Sequence, residues 1–297
     1  MKEVTEIVVI SGKGGTGKTS LTSSFAVLGG SSMVVADCDV DAADMHLLLN
    51  PTILHEEDFY SGKTAVIETE GCVHCFKCKN VCRFDAIHVI NGDFVVDELN
   101  CEGCSYCYHI CPTHTIKIPD ALSGKFFISK SRLDNTLVHA RLKIAADNSG
   151  KLVTKVRDEA KRVAAETGKK VILVDGPPGI GCPVVASLTG TDFAVIVTEP
   201  TVSGLHDLQR VAELVAKMKI PAGVIINKSD LNLEMSGKIK NAAKELNLAL
   251  IAELPYDEVF TKAITQGKTI VEYDHGNIEK KIKNSWKKIM ELSIKEQ

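Results

Sequence analysis

Short apolar runs rich in β-branched residues recur along this chain, and several are separated by segments with an apolar stripe at helical spacing. Val4–Ile10, Met33–Ala36, Val171–Val174, Phe193–Val197, Ala222–Ile226 and Leu248–Ala252 are predominantly apolar, the pattern of strands covered on both faces. Leu205–Met218 and Ile239–Leu246 carry the periodicity of helices packed on such a sheet. The alternation predicts an α/β fold: a mainly parallel sheet with helices on both faces, its ligands bound at the carboxyl ends of the strands. Phe126–Ser129 and Val138–Ile144 suggest two further strands. In a last helix, Ile278–Ile294, the residues Ile278, Ile282, Ile289 and Met290 lie near one face, with Trp286 at its edge and six lysines between Lys280 and Lys295. Such a helix either docks its stripe on its own domain or lies on a membrane surface.

The alternation breaks off in the middle of the chain. Pro51 and the polar stretch His55–Lys63 mark the departure, and Asp120–Gly150, with Ser-Gly and Asn-Ser-Gly turn signals, marks the return. Between them stand eight of the ten cysteines: Cys72, Cys75, Cys78 and Cys82, then Cys101, Cys104, Cys107 and Cys111. Both quartets have the spacing C-x2-C-x2-C-x3-C, and Pro112 follows the second. Zinc sites use two short pairs set apart by a longer span, so they explain this run poorly. A disulfide framework or scattered core thiols is the plainer alternative. A shift of 29 positions superposes all four cysteine pairs, together with Val81 on Ile110, Ile87 on Ile116 and Val89 on Ile118. An internal repeat of this kind predicts two copies of one unit, each a cysteine loop, a short helical turn and a strand.

At the amino end, the first apolar run leads into Gly12-Lys13-Gly14-Gly15-Thr16-Gly17-Lys18-Thr19, followed by Ser20. This satisfies G-x-x-x-x-G-K-S/T between a predicted strand and a predicted helix. The glycines let successive backbone N–H groups turn inward around phosphate oxygens, and the helix N-terminus adds its positive end. Lys18 is expected against the β/γ-phosphates, and the Thr19 hydroxyl on Mg²⁺.

Two resemblances follow from these residues. Thr64–Pro119 resembles a bacterial two-cluster ferredoxin, which implies two 4Fe-4S clusters. One would be held by Cys72, Cys75, Cys78 and Cys111, the other by Cys101, Cys104, Cys107 and Cys82. Arg83 departs from that pattern, standing where Pro112 stands in the second quartet. It either points into solvent or raises the potential of the cluster that Cys82 helps to hold.

The sequence from Lys13 to Thr19 resembles the deviant nucleotide-binding loop of the MinD/ParA ATPases, which include the nitrogenase iron protein. That resemblance implies binding of ATP or ADP with Mg²⁺, and hydrolysis in an ATP-dependent homodimer in which Lys13 reaches the partner's nucleotide. Asp37-Cys38-Asp39-Val40-Asp41 is similar to the first switch, with Asp39 orienting the attacking water. Val171 to Gly179 is similar to the strand and second switch that place Asp175 near Mg²⁺, so Thr19, Asp39 and Asp175 form the expected metal site. Asn227 matches a residue that reads adenine, and Pro255 and Asp257 a loop that covers the base. The implied organisation is a discontinuous P-loop NTPase domain, 1–60 and 120–297, with an α+β ferredoxin domain inserted at 61–119.

Composition narrows the picture further. The 297 residues are 44% hydrophobic, enough for one large core and a small one, and the net charge of −3 gives no footprint for nucleic acid. Met1-Lys2-Glu3 does not open a leader, no apolar stretch reaches membrane-spanning length, and cluster-spaced thiols fit a reducing cytoplasm. Cys38 reads as a small buried residue. Cys182 lies seven positions after Asp175, where the nitrogenase iron protein carries an intersubunit cluster ligand, but the second such cysteine has no counterpart. His74, His109 and His114 flank the quartets, as surface residues or as donors to cluster sulfur. Two function classes remain open. One is an ATP-gated electron carrier serving a redox partner. The other is an ATPase that delivers a metallocofactor or positions a client protein.

Overall fold

The computed structural model describes residues 4–143 and 149–295, so Met1–Glu3, Ile144 and the Asn148 turn signal lie outside the described residues. The chain begins with Thr5–Ser11 (β1), Lys18–Gly29 (α1), Met33–Asp37 (β2), Met45–Leu49 (α2) and Thr52–Lys63 (β3). Six short elements follow: Val66–Ile67 (β4), Lys77–Val81 (α3), Ile87–Ile90 (β5), Asp93–Val96 (β6), Tyr106–Ile110 (α4) and Ile116–Lys117 (β7). Asp120–Lys130 (β8) and Thr136–Leu142 (β9) lead to Ser149–Thr167 (α5), Val171–Pro178 (β10), Cys182–Leu188 (α6) and Phe193–Thr198 (β11). The remainder is Val202–Lys217 (α7), Ala222–Ile226 (β12), Leu233–Glu245 (α8), Ala249–Glu253 (β13), Val259–Thr265 (α9), Ile270–Tyr273 (α10) and Asn277–Lys295 (α11).

The strands of the main sheet run in the order β13-β12-β11-β1-β10-β2-β9-β8-β3. From β13 to β9 every neighbouring pair is parallel. Ile7, Val8, Val9 and Ile10 are fully buried, so the apolar run of β1 is covered on both faces, as an interior parallel strand requires. Register then sets the chemistry. Val9 of β1 and Asp37 of β2 both stand opposite Asp175 of β10, which brings three strand ends to one place.

The polar stretch His55–Lys63, expected as a connecting segment, is instead most of β3. Almost every residue of that strand is exposed, and it lies at the edge of the sheet. Charged side chains on an edge strand discourage pairing with another chain, and they also hide the strand from a search for apolar alternation. The last helix docks: Ile278, Ile282 and Ile289 are buried, and Trp286 stacks on Phe25 with ring centroids 5.5 Å apart. No helix among the described residues is long and apolar enough to cross a membrane.

The chain divides into two compact units. The larger comprises the sequence to Glu57, Phe126–Arg141 and the sequence from Ser149; the smaller is centred on Asp58–Lys125. Within the smaller unit the 29-residue repeat is visible in the backbone. Helix α3 recurs as α4, and the starts of β5 and β7 are related by the same shift. The left-handed positions recur as well, His74 with Gly103, Phe76 with Ser105 and Asp85 with His114. Five of those six residues carry a Cβ, and each such position costs on the order of 1–3 kcal/mol and persists only where its surroundings impose it. The unit's core is Ala65, Ile87, Phe94 and Ile116, together with Cys78, Cys107 and Cys111.

Candidate functional site

In the larger unit a cavity of about 530 Å³ opens where β1, β2 and β10 end, lined by Gly14 to Ser20. Gly15 and Gly17 are left-handed, at φ 80° and 88°, and their curl aims the loop at the start of α1. A side chain at Gly17 would also strike the Asn227 amide, 2.5 Å from where its Cβ would sit. The Thr16 hydroxyl is buried and has no hydrogen-bond partner among the described residues, an orphaned donor in the wall of a phosphate-sized loop. Asp39, Asn227, Pro255 and Asp257 also line this cavity.

Gly12 and Lys13 stand apart from it. A Cβ on Gly12 would lie 2.3 Å from that of Asp207, so glycine is required there by the close approach of α7. The Lys13 ammonium is 2.7 Å from Glu199 and donates to Ser203 and Thr201 at 3.0 and 3.3 Å. The Asn227 amide donates to the Thr16 carbonyl at 2.8 Å, and Lys228 donates to the Gly15 carbonyl at 3.1 Å, so both brace the loop from behind. Tyr256, within the loop expected to cover the base, joins Phe260 and Ile264 in an apolar wall, and the last two are residues that sequence reasoning did not find. The signal was there in the i, i+4 pair Phe260 and Ile264 of α9.

The electrostatics centre on Asp175, which is wholly buried. It accepts hydrogen bonds from Thr19 at 2.7 Å and Thr22 at 2.8 Å, and pairs with Lys18 at 2.9 Å. Lys18 also lies 3.5 Å from Asp39. Burial works against the lysine's charge, but Asp175 and Asp39 outweigh it and raise the Lys18 pKa. Burial, with the Asp175 charge behind it, pushes the Asp37 carboxyl well above the usual carboxylate range. Asp39 is raised by burial, against the pull of Lys18. Thr19, Asp39 and Asp175 supply the hard oxygen donors that Mg²⁺ takes, and a cation there would release Lys18 toward phosphate.

In the smaller unit the cysteines line two small cavities. One is walled by Cys72, Cys75, Cys78 and Cys111, the other by Cys82, Cys101, Cys104 and Cys107. Each cavity therefore takes three thiols from one quartet and the fourth from the other. Among the described residues no group of three or more His, Cys, Asp or Glu is arranged to hold a single metal ion. A cubane makes a different demand, because its four thiolates bind four separate iron corners and stand further apart than ligands on one ion. Four thiols around each small cavity fit that demand. Burial raises the Cys78 and Cys107 pKa values, while at Cys111 hydrogen bonds from Thr115 and Thr113 outweigh burial and lower the thiol to about 7.

Arg83 is exposed. His74 lies 3.8 Å from Asp93, and His109 packs edge-on against the Tyr108 ring. Cys38 is fully buried, and burial pushes its thiol well up. Cys182 is exposed at the first position of α6.

Residues 7–270 match the family model described as the CobQ/CobB/MinD/ParA nucleotide binding domain. An uncharacterized protein of Methanocaldococcus jannaschii is 30% identical over 237 residues, covering 77% of this chain and 80% of its own length. A second protein of that organism is 26% identical over 279 residues, covering 92% and 94%. Among solved structures, the cell division ATPase MinD of Pyrococcus furiosus has a TM-score of 0.59 at 19% identity, covering 97% of this chain and 99% of that one. The septum site-determining protein MinD of Pyrococcus horikoshii, solved in complex with Mg-ADP, has a TM-score of 0.57 at 20% identity, covering 95% and 94%. These two likenesses concern the fold.

Proposed function

We propose, from the premise that this chain belongs to the CobQ/CobB/MinD/ParA nucleotide-binding family, that it is a Mg²⁺-dependent ATPase with an inserted ferredoxin-like module, acting as an electron carrier. In this reading Lys18 and the loop amides hold the β/γ-phosphates, and Thr19 and Asp175, with Asp39 nearby, hold Mg²⁺. Asp39 orients the attacking water, and Asn227, Pro255 and Asp257 enclose the base. Lys13 leaves Glu199 to reach nucleotide on the partner subunit of an ATP-dependent homodimer. Binding of Mg-ADP by the fold relative from Pyrococcus horikoshii supports the choice of nucleotide and metal.

Two 4Fe-4S clusters, when bound, would supply one-electron storage, each held by four cysteines. The observation that carries this part is the composition of the two cavities, three thiols from one quartet and one from the other in each. The repeated left-handed residues beside those cysteines support it, because such strain concentrates at ligand-clamping loops.

A second reading, an ATPase that positions a client, draws on the cell-division roles named for the fold relatives. The docked stripe of α11 weighs against a membrane-anchored form of that reading, since its apolar face is already covered.

Anaerobic reconstitution tests the cluster assignment. The chain should take up about eight irons and eight acid-labile sulfides, the content of two cubanes. Cys111→Ser should damage the cluster whose other ligands are Cys72, Cys75 and Cys78, although Cys111 belongs to the other quartet. A chain that holds no acid-labile sulfide would leave the ATPase as the whole of the function.

A further inference from the structure

The two cysteine sets are related by a 29-residue shift, yet the side chains beside them differ in polarity and charge. Thr113 and Thr115 place their hydroxyls 3.7 and 3.5 Å from the Cys111 sulfur, and 3.3 Å from each other. Their counterparts beside Cys82 are Phe84 and Ala86, which have no hydroxyl to offer. Ala86 is buried, and Phe84 lines the second cavity. The donors to sulfur in the second set are backbone N–H groups, that of Ala65, 3.5 Å from the Cys101 sulfur, and that of Tyr108 beside Cys107.

Two other exchanges run the same way. Lys77 lines the first cavity where the second has Tyr106, and Val73 lines the first where the second has Glu102. Two exchanges run against them: Arg83 follows Cys82, where Pro112 follows Cys111, but Arg83 lines neither cavity, and Ser105 lines the second cavity where the first has Phe76, but its hydroxyl donates to the Gly103 carbonyl at 3.2 Å.

Reduction adds negative charge to a cluster. Hydroxyl donors and a cation beside the ligands favour the reduced state, whereas an apolar wall and a carboxylate disfavour it. Building on the cluster reading above, we infer that the two sets are tuned to unequal potentials. An electron in the smaller unit rests at the set of Cys72, Cys75, Cys78 and Cys111. Thr113 and Thr115 are positioning residues that act through Cys111, and Glu102 acts in the opposite sense on the second set.

Potentiometric titration of the anaerobically reconstituted full chain, followed by electron paramagnetic resonance, reads both potentials. Two waves are expected. Joint substitution Thr113→Val and Thr115→Val should move the upper wave down toward the lower one with iron and sulfide content unchanged, while Thr115→Ser should keep it in place. Glu102→Gln, at an exposed position, should raise only the lower wave, and it carries the test if the double variant loses iron. Full iron content with one shared potential, or a double variant that moves the lower wave, overturns the asymmetry while the clusters stand. A wild-type chain that takes up no iron removes the cluster reading itself, and the asymmetry with it.

Discussion

Lys13 and Lys18 are five positions apart and have opposite surroundings. Lys18 is 5% exposed and sits among carboxylates that only a bound cation or phosphate would draw it from. Lys13 is held at the surface by Glu199, which Lys228 also pairs with, at 2.8 Å. Burial would raise the Glu199 pKa, but Lys13 and Lys228 more than offset it and hold the carboxyl below its usual range. The two lysines should therefore fail differently. Lys18→Ala removes a charge-assisted contact of about 1.5–3 kcal/mol, so ATP affinity should fall by roughly 10- to 150-fold. Lys13→Ala should leave affinity within about threefold, a change under 1 kcal/mol, yet lose the acceleration of turnover that comes with rising protein concentration. Calorimetry and ATPase assays across a concentration series separate the two. Equal loss of affinity in both variants would place Lys13 in its own subunit's phosphate site.

At the scale of elements, most of the larger unit was legible. Interior parallel strands such as β1 and β11 are apolar through their buried centres, Ile7–Ile10 and Phe193–Val197, and the loop after β1 announces its chemistry by its glycines. The misreading at β3 has a physical cause, since an exposed edge strand is written in charged residues. The brace that Asn227 and Lys228 give the loop was not legible. It depends on register between strands far apart in sequence, which no local pattern encodes. In the smaller unit the repeat was plain from cysteine spacing, but the exchange of Thr115 for Ala86 gains meaning only once both are seen beside sulfur. The destination of α11 was left open by its sequence and is settled by packing. Trp286→Ala should thus destabilise the fold by about 2–4 kcal/mol, toward the lower part of the range for large-to-small core changes because the side chain is only partly buried. Denaturant unfolding checks this. A variant of wild-type stability that instead loses binding to anionic vesicles would show the helix serving a membrane.

For the whole molecule the question is whether nucleotide and electron sense one another. The smaller unit is inserted in the sequence between β2, which ends at Asp37, and β10, which carries Asp175. Both ends of the insertion are therefore tied by continuous chain to strands that present nucleotide-site carboxylates. A γ-phosphate that repositions the segment around Asp39 offers such attachments two discrete states, the requirement for coupling through a bistable element. If ATP shifts a cluster potential, reduction must shift ATP affinity by the same free energy, because linkage is reciprocal. Typical couplings of roughly 5- to 150-fold in affinity correspond to about 40–130 mV for a one-electron step. We predict that redox titration with ADP and with a non-hydrolysable ATP analogue gives different potentials. Calorimetry on oxidised and reduced protein should give the matching ratio of ATP affinities. Asp39→Ala, which should hold ATP without hydrolysing it, is expected to keep the ATP-state potential through extended incubation while the wild type relaxes to the ADP value. Potentials indifferent to nucleotide, with affinities indifferent to reduction, would mean that the smaller unit is carried by the ATPase without being governed by it.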